Sequence, residues 1–206
     1  MIDRIDVVLC YEEYNGDKLR YFLRSVFNYM RFVNNIYVIM KDSDIIPDWL
    51  NLDMVCVKKY SDIGYIENDA LYGNIEMLIP NIEELSEYFI YFANSAIVTE
   101  PCSISDFFAM NKCNITSIIS TYHYKETDAD KTIMYNNSKI IDDLLNIGRK
   151  TLEYEYICKD IIPMKKLHMD IGSYTNIDIR LYSLYLLKTG YSSFNAIHNK
   201  KYIKYE

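Results

Sequence analysis

This chain is poor in the residues that most often announce a site. Its 206 residues include three histidines, His123, His168 and His198, too far apart in sequence to suggest a metal-ligand spacing. Its five cysteines form no CxxC pair, so neither a zinc ribbon nor a redox dithiol is indicated. Cys10 and Cys56 stand in the apolar runs VVLC and MVCV and read as reduced thiols in buried strands, which fits a reducing cytoplasm. No apolar run approaches the roughly 20 residues a membrane-spanning helix needs. Charge begins at Asp3 and Arg4, so the N-terminus does not read as a secretory signal. The formal net charge of −7 leaves no basic stripe for a nucleic-acid duplex, and Lys200, Lys201 and Lys204 read as a short solvated tail. Neither GxGxxG nor GxxxxGK[ST] occurs, which argues against a dinucleotide fingerprint and a P-loop.

What is present is ordinary globular composition, 50% hydrophobic and 25% charged, in a chain long enough for one self-sufficient core. The 21 tyrosines beside a single tryptophan read as a compositional bias rather than an aromatic binding surface. We therefore expect one domain over residues 1–206.

Periodicity supplies the architecture. The β-branched run Ile5–Cys10 predicts a first strand, and Asn15-Gly16 punctuates it. Leu19, Phe22, Leu23, Val26, Phe27 and Met30 then recur at helical spacing, with Arg20, Arg24 and Asn28 on another face. Asn34-Asn35 is expected to close that segment. Strands are predicted at Ile36–Met40, Val55–Val57, Tyr88–Phe92 and Ile115–Ser120, with Tyr88–Phe92, the most apolar, at the sheet centre. Helices are expected over Ala70–Leu85 (broken near Pro80), Ser138–Arg149, Pro163–Met169 and Ile177–Leu187, and a mobile loop over Lys125–Asn137. Strand, helix, strand, loop, strand is the opening of an α/β protein whose mainly parallel sheet is wound by right-handed crossovers, a Rossmann-type sheet with flanking helices. Such sheets bind ligands at the carboxyl ends of their strands, here Cys10, Tyr11, Glu12, Lys41, Asp42 and Ala93-Asn94-Ser95.

Three segments resemble the Stealth family, bacterial transferases that move a sugar 1-phosphate from a nucleotide sugar in capsule synthesis and are related to the catalytic core of lysosomal-enzyme N-acetylglucosamine-1-phosphotransferase. Ile5-Asp6-Val7-Val8 is similar to the family's opening IDVV. Asp17 to Ser25 (DKLRYFLRS), Asn35-Ile36-Tyr37-Val38 and Pro47-Asp48-Trp49-Leu50-Asn51 resemble the family's ELRYSLRS, KIYIVT and PPWLN blocks in order and separation. Leu85 to Phe92 (LSEYFIYF), Pro101 and Asp106-Phe107-Phe108 resemble LSEHFIYFNDD, a proline and DFF.

The resemblance implies a GT-A-like fold, with residues 1–110 as the nucleotide-sugar-binding half and 111–206 as the acceptor-side half carrying C-terminal helices. It implies a nucleotide-sugar donor and a saccharide acceptor, in the bacterial cytoplasm. Arg20 and Arg24, at i and i+4 on one helix face, would grip the donor's diphosphate. Cys10, Tyr11, Glu12, Lys41, Asn94 and Ser95 would line the nucleotide. Asp42 and Glu76 are the catalytic candidates, Glu76 by its match to a family glutamate.

Departures accompany the matches. The family strand ends in Asn-Asp-Asp, whose carboxylates hold a divalent cation. Ala93-Asn94-Ser95 carries no charge there, so no Mg²⁺ or Mn²⁺ site of the family type is expected. Asp42 or Asp69 is the other place such an ion could be held. Ile161-Ile162-Pro163-Met164-Lys165-Lys166 stands where a His-containing block would, and Arg180 falls on the wrong side of Asp178. The alternative to a working transferase is an inactive relative that serves as a nucleotide-binding or regulatory partner module.

Overall fold

A computed structural model describes residues 4–11, 16–65, 75–92, 96–109, 112–116, 161–166, 192–195 and 202–204. The expectations for Ser138–Arg149, Ile177–Leu187 and Lys125–Asn137 lie outside these residues, as do Glu12, Asp69, Ala93, Asn94 and Ser95.

The leading element is the strand β1 (Ile5–Cys10), buried at every position because it runs down the middle of a sheet covered on both faces. Helix α1 (Gly16–Tyr29) follows, then β2 (Val33–Met40) and β3 (Cys56–Lys59). β4 (Tyr88–Phe92) pairs with the other edge of β1. The pairs β1–β2, β1–β4 and β2–β3 are all parallel. A fifth strand, β8 (Ile161–Lys165), lies antiparallel on β4, giving the order β3-β2-β1-β4-β8. The α/β, Rossmann-like reading of a mainly parallel sheet therefore holds. Its centre is β1 rather than Tyr88–Phe92, which occupies the neighbouring place.

Helix α1 shows why its sequence folds as it does. Leu19, Phe22, Leu23 and Val26 are buried at helical spacing, while Arg20, Arg24, Phe27 and Asn28 stay exposed. Phe22 meets Phe92 of β4 edge-to-face, ring centres 5.2 Å apart, so the helix is keyed to the sheet by an aromatic pair. Buried Ser25 donates to the Phe22 carbonyl at 2.7 Å and accepts the Val98 N–H at 3.2 Å. That second bond fastens β5 (Ala96–Val98) against the helix.

Several expectations are corrected. Asn34-Asn35 does not close the helix but opens β2, and both residues donate to Asp6: Asn34 Nδ2 at 3.1 Å and the Asn35 N–H at 3.0 Å. Of the stretch Ala70–Leu85, the described part forms a 3₁₀ turn at Ile75–Asn81 that contains Pro80, not a longer α-helix. Pro163 does not begin a helix. It lies in β8, opposite Ile90, at the edge of the sheet among the described residues, where a residue without an N–H is tolerated. Cys56 opens the edge strand β3 and is exposed, not buried. The Lys200–Lys204 tail is not merely solvated, since β10 (Tyr202–Lys204) pairs antiparallel with β5.

Further described elements are a 3₁₀ turn at Ser61–Ile63, the short helix α2 (Ile104–Phe107), β6 (Phe108–Ala109), β7 (Lys112–Thr116) and β9 (Ser192–Asn195); the three strands form a second small sheet. Asp106 caps α2 by accepting the Ser103 N–H at 2.7 Å, so the acidic residue of the DFF block has a local folding role.

Candidate functional site

In the order β3-β2-β1-β4 the chain winds outward in one direction from β1 to β3 and in the other to β4. The carboxyl ends of β1 and β4 therefore flank the crevice where such sheets bind ligands. Cys10 and Tyr11 end β1 there, but both side chains are buried, and the Tyr11 N–H donates to the Ile39 carbonyl at 2.8 Å. They shape the floor of the crevice from within the core.

Tyr91 of β4 donates its hydroxyl to Glu76 Oε1 at 3.1 Å. Glu76 is half-buried at the start of the 3₁₀ turn Ile75–Asn81, so the bond ties this carboxylate to the penultimate residue of β4. A tyrosine partner for Glu76 was not visible in the sequence, because 15 residues separate the two and no periodic pattern joins them.

Asp42 and Lys41 sit at the end of β2 in a different setting. Asp42 is exposed, and its carboxylate accepts both the Ser61 N–H and the Ser61 hydroxyl, fastening the turn after β3. The Lys41 N–H donates to buried Asp44 at 3.1 Å, and the Lys41 carbonyl accepts Lys59 Nζ at 3.1 Å. Lys59 also reaches the Asp44 carbonyl. These residues form a closed polar knot across the ends of β2 and β3, in which Asp42 is committed to a turn.

Arg20 and Arg24 come together as their spacing implies. They line one open groove of about 470 Å³ between α1 and the β2–β3 connection, whose wall includes Trp49, Leu50, Asn51, Met54 and Val55. The Arg20 guanidinium lies over the Trp49 ring, 4.6 Å from its centre. Leu50 and Val55 are buried and anchor the connection to the core, which leaves Trp49 and Met54 facing outward. Phe27, one turn beyond Arg24, is 41% exposed at the same groove. Lys58 of β3 and Glu84 form an ion pair at 3.2 Å, and among the described residues no carboxylate is paired with either arginine. Among the described residues, two like charges one helical turn apart have no counter-charge, the arrangement that an anionic ligand relieves.

Among the described residues no group of three His, Cys, Asp or Glu side chains comes together. No helix of the described residues is long and apolar enough to cross a membrane.

Residues 12–116 match the family described as Stealth protein CR2, conserved region 2. Among curated proteins, the chain is 28% identical over 142 residues to the capsular polysaccharide phosphotransferase WcwK of Streptococcus pneumoniae, covering 67% of this chain and 41% of that protein. It is 31% identical over 117 residues to a capsular polysaccharide phosphotransferase of Streptococcus thermophilus, covering 55% and 48%. It is 30% identical over 94 residues to an exopolysaccharide phosphotransferase of Lactiplantibacillus plantarum, covering 44% and 27%. The matches span less than half the length of each of these relatives.

Proposed function

The chain belongs to the Stealth protein family, and on that premise we propose that it acts in sugar-phosphate transfer from a nucleotide sugar during capsule or exopolysaccharide synthesis. The single observation that carries the reading is the pair of guanidiniums, Arg20 and Arg24, side by side in one groove without a neighbouring carboxylate among the described residues. A nucleotide sugar presents a diphosphate, and guanidinium forks suit its oxygens. Preorganised positive charge at that point also favours the transition state, in which charge builds on the departing phosphate.

In this reading the sheet is the core of a GT-A-like fold. Residues 1–110 face the donor and 111–206 the acceptor saccharide. An acceptor hydroxyl attacks the phosphorus attached to the sugar. A new O–P bond forms, the bond to the nucleoside phosphate breaks, and a nucleoside monophosphate leaves. Glu76, whose carboxylate Tyr91 holds through Oε1, is the candidate to take the hydroxyl proton. Asp42 suits this role less, since its carboxylate already takes two bonds from Ser61. The capsular and exopolysaccharide phosphotransferase names of the relatives support the reaction class.

Calorimetric titration of UDP-glucose into the wild-type chain, Arg20→Ala and Arg24→Ala tests the reading. Each truncation should weaken binding about ten- to a hundred-fold, since a hydrogen bond to a charged group contributes about 1.5–3 kcal/mol. Arg24→Lys should recover only part of the loss, because an ammonium lacks the planar fork. Unchanged affinity in all three variants would remove the phosphate-binding role.

A further inference from the structure

The arginine groove is not purely electrostatic. The only tryptophan of the chain stands in it, with Phe27 and Met54 beside it. Exposures of 37% for Trp49, 41% for Phe27 and 53% for Met54 leave much of their apolar surface open to water. A site for inorganic phosphate alone gains nothing from such a wall. Lone exposed apolar residues are common, but three on one groove beside two guanidiniums form an amphipathic surface.

The geometry points to Trp49 as a specificity-determining residue: the groove recognises a phosphate ester that carries a ring, with Arg20 and Arg24 on the phosphate oxygens and the Trp49–Phe27–Met54 wall on the apolar face of the adjoining sugar or base. This rests on the phosphate-binding reading of the arginine pair and adds the uncharged half of the ligand. The Arg20 guanidinium packs on the Trp49 ring 4.6 Å from its centre. The ring therefore acts twice. Its face carries the Arg20 guanidinium, and its edge continues the apolar wall. The open groove, of about 470 Å³, lies within the volume range of small-molecule sites.

Trp49 is anchored through its neighbour. Leu50 is buried in the core and its N–H donates to the Pro47 carbonyl at 2.9 Å, so the turn is held without the indole. Replacement of Trp49 is therefore expected to leave the fold intact. Because Trp49 is the sole tryptophan among 21 tyrosines, emission excited beyond the tyrosine absorption band reports on this groove.

The test titrates three probes, inorganic pyrophosphate, UDP-glucose and glucose 1-phosphate, into the wild-type chain, Trp49→Leu, Trp49→Phe and Arg24→Ala. Heat and, where tryptophan remains, emission are recorded. Both ring-bearing probes should shift Trp49 emission, and UDP-glucose should bind the wild type at least tenfold more tightly than pyrophosphate. Trp49→Leu should erase that tenfold advantage while changing pyrophosphate affinity less than threefold, and Trp49→Phe should restore part of it. Equal affinity for pyrophosphate and UDP-glucose, or an advantage that survives Trp49→Leu, would overturn the role of the ring while leaving the arginine reading standing. Pyrophosphate binding that is indifferent to Arg24→Ala would overturn the arginine reading, and this inference with it.

Discussion

Asp6 Oδ2 accepts the Ser86 N–H at 2.7 Å, joining residues 80 apart in the chain. Oδ1 of the same carboxylate takes Asn34 Nδ2 and the Asn35 N–H. A fully buried acid in the central strand thus ties the start of β2 and the loop before β4 to β1. A buried carboxylate is tolerated when donors surround it, and here three do.

Asp6→Ala should therefore destabilise the chain by about 1–3 kcal/mol, since it strands three part-buried donors around a buried site. Asp6→Asn should be milder, because one acceptor oxygen remains while the amide nitrogen faces a donor. Urea unfolding with an unchanged m-value checks this. A loss below about 1 kcal/mol for Asp6→Ala would show the network to be dispensable.

Ser25 and Arg24 are neighbours in sequence with opposite duties. Ser25→Ala removes the buried bonds to Phe22 and Val98 and should cost about 1–2 kcal/mol of stability while leaving UDP-glucose affinity intact. Arg24→Ala should do the reverse, with a stability change below about 0.5 kcal/mol, because its side chain is exposed. Parallel unfolding and calorimetry on the two variants separate the effects. A Ser25→Ala variant that folds normally yet binds poorly would contradict this division.

Tyr37 is pushed up to about 12, first by burial and then by the nearby charge of Asp6. Below about pH 10 the phenol is neutral in both folded and unfolded chains. Between about 10 and 12 the unfolded chain ionises while the folded one holds its proton, so the unfolded state is favoured as pH rises. Stability should fall across that window, and Tyr37→Phe should lessen the fall relative to wild type. Urea midpoints at pH 8, 10 and 11 for both chains measure the difference; superimposable pH profiles would refute it.

Glu76→Gln should lower sugar-phosphate transfer at least about a hundred-fold, the scale of general-base catalysis, with UDP-glucose affinity within threefold of wild type. Tyr91→Phe keeps the base but loses its orienting bond, so its effect on rate should be smaller. Transfer assays paired with binding measurements decide the point. Wild-type rates in Glu76→Gln would place the base elsewhere.

The sheet was legible in the sequence because its strands are continuous β-branched and aromatic runs. Ile5–Cys10 and Tyr88–Phe92 match their observed limits, and α1 showed itself through the spacing of Leu19, Phe22, Leu23 and Val26. These are local signals, written in neighbouring residues. The i, i+4 arginines were legible for the same reason, as helical periodicity alone puts them on one side. Pro163 misled because proline both starts helices and sits on edge strands, and only the pairing with β4 decides between them. Cys56 misled because an apolar run says nothing about whether its strand ends up central or at an edge.

Sequence alone determined the fold class and the family resemblance, since both rest on the order and spacing of residues along the chain. Tertiary structure decided the partnerships: Asp6 with Ser86, Tyr91 with Glu76, Arg20 with Trp49. Each joins segments separated by 15 to 80 residues, beyond the reach of any local period. Such contacts exist only once crossover direction and strand order have brought distant segments together, and it is there that a pair of exposed arginines became one wall of a groove.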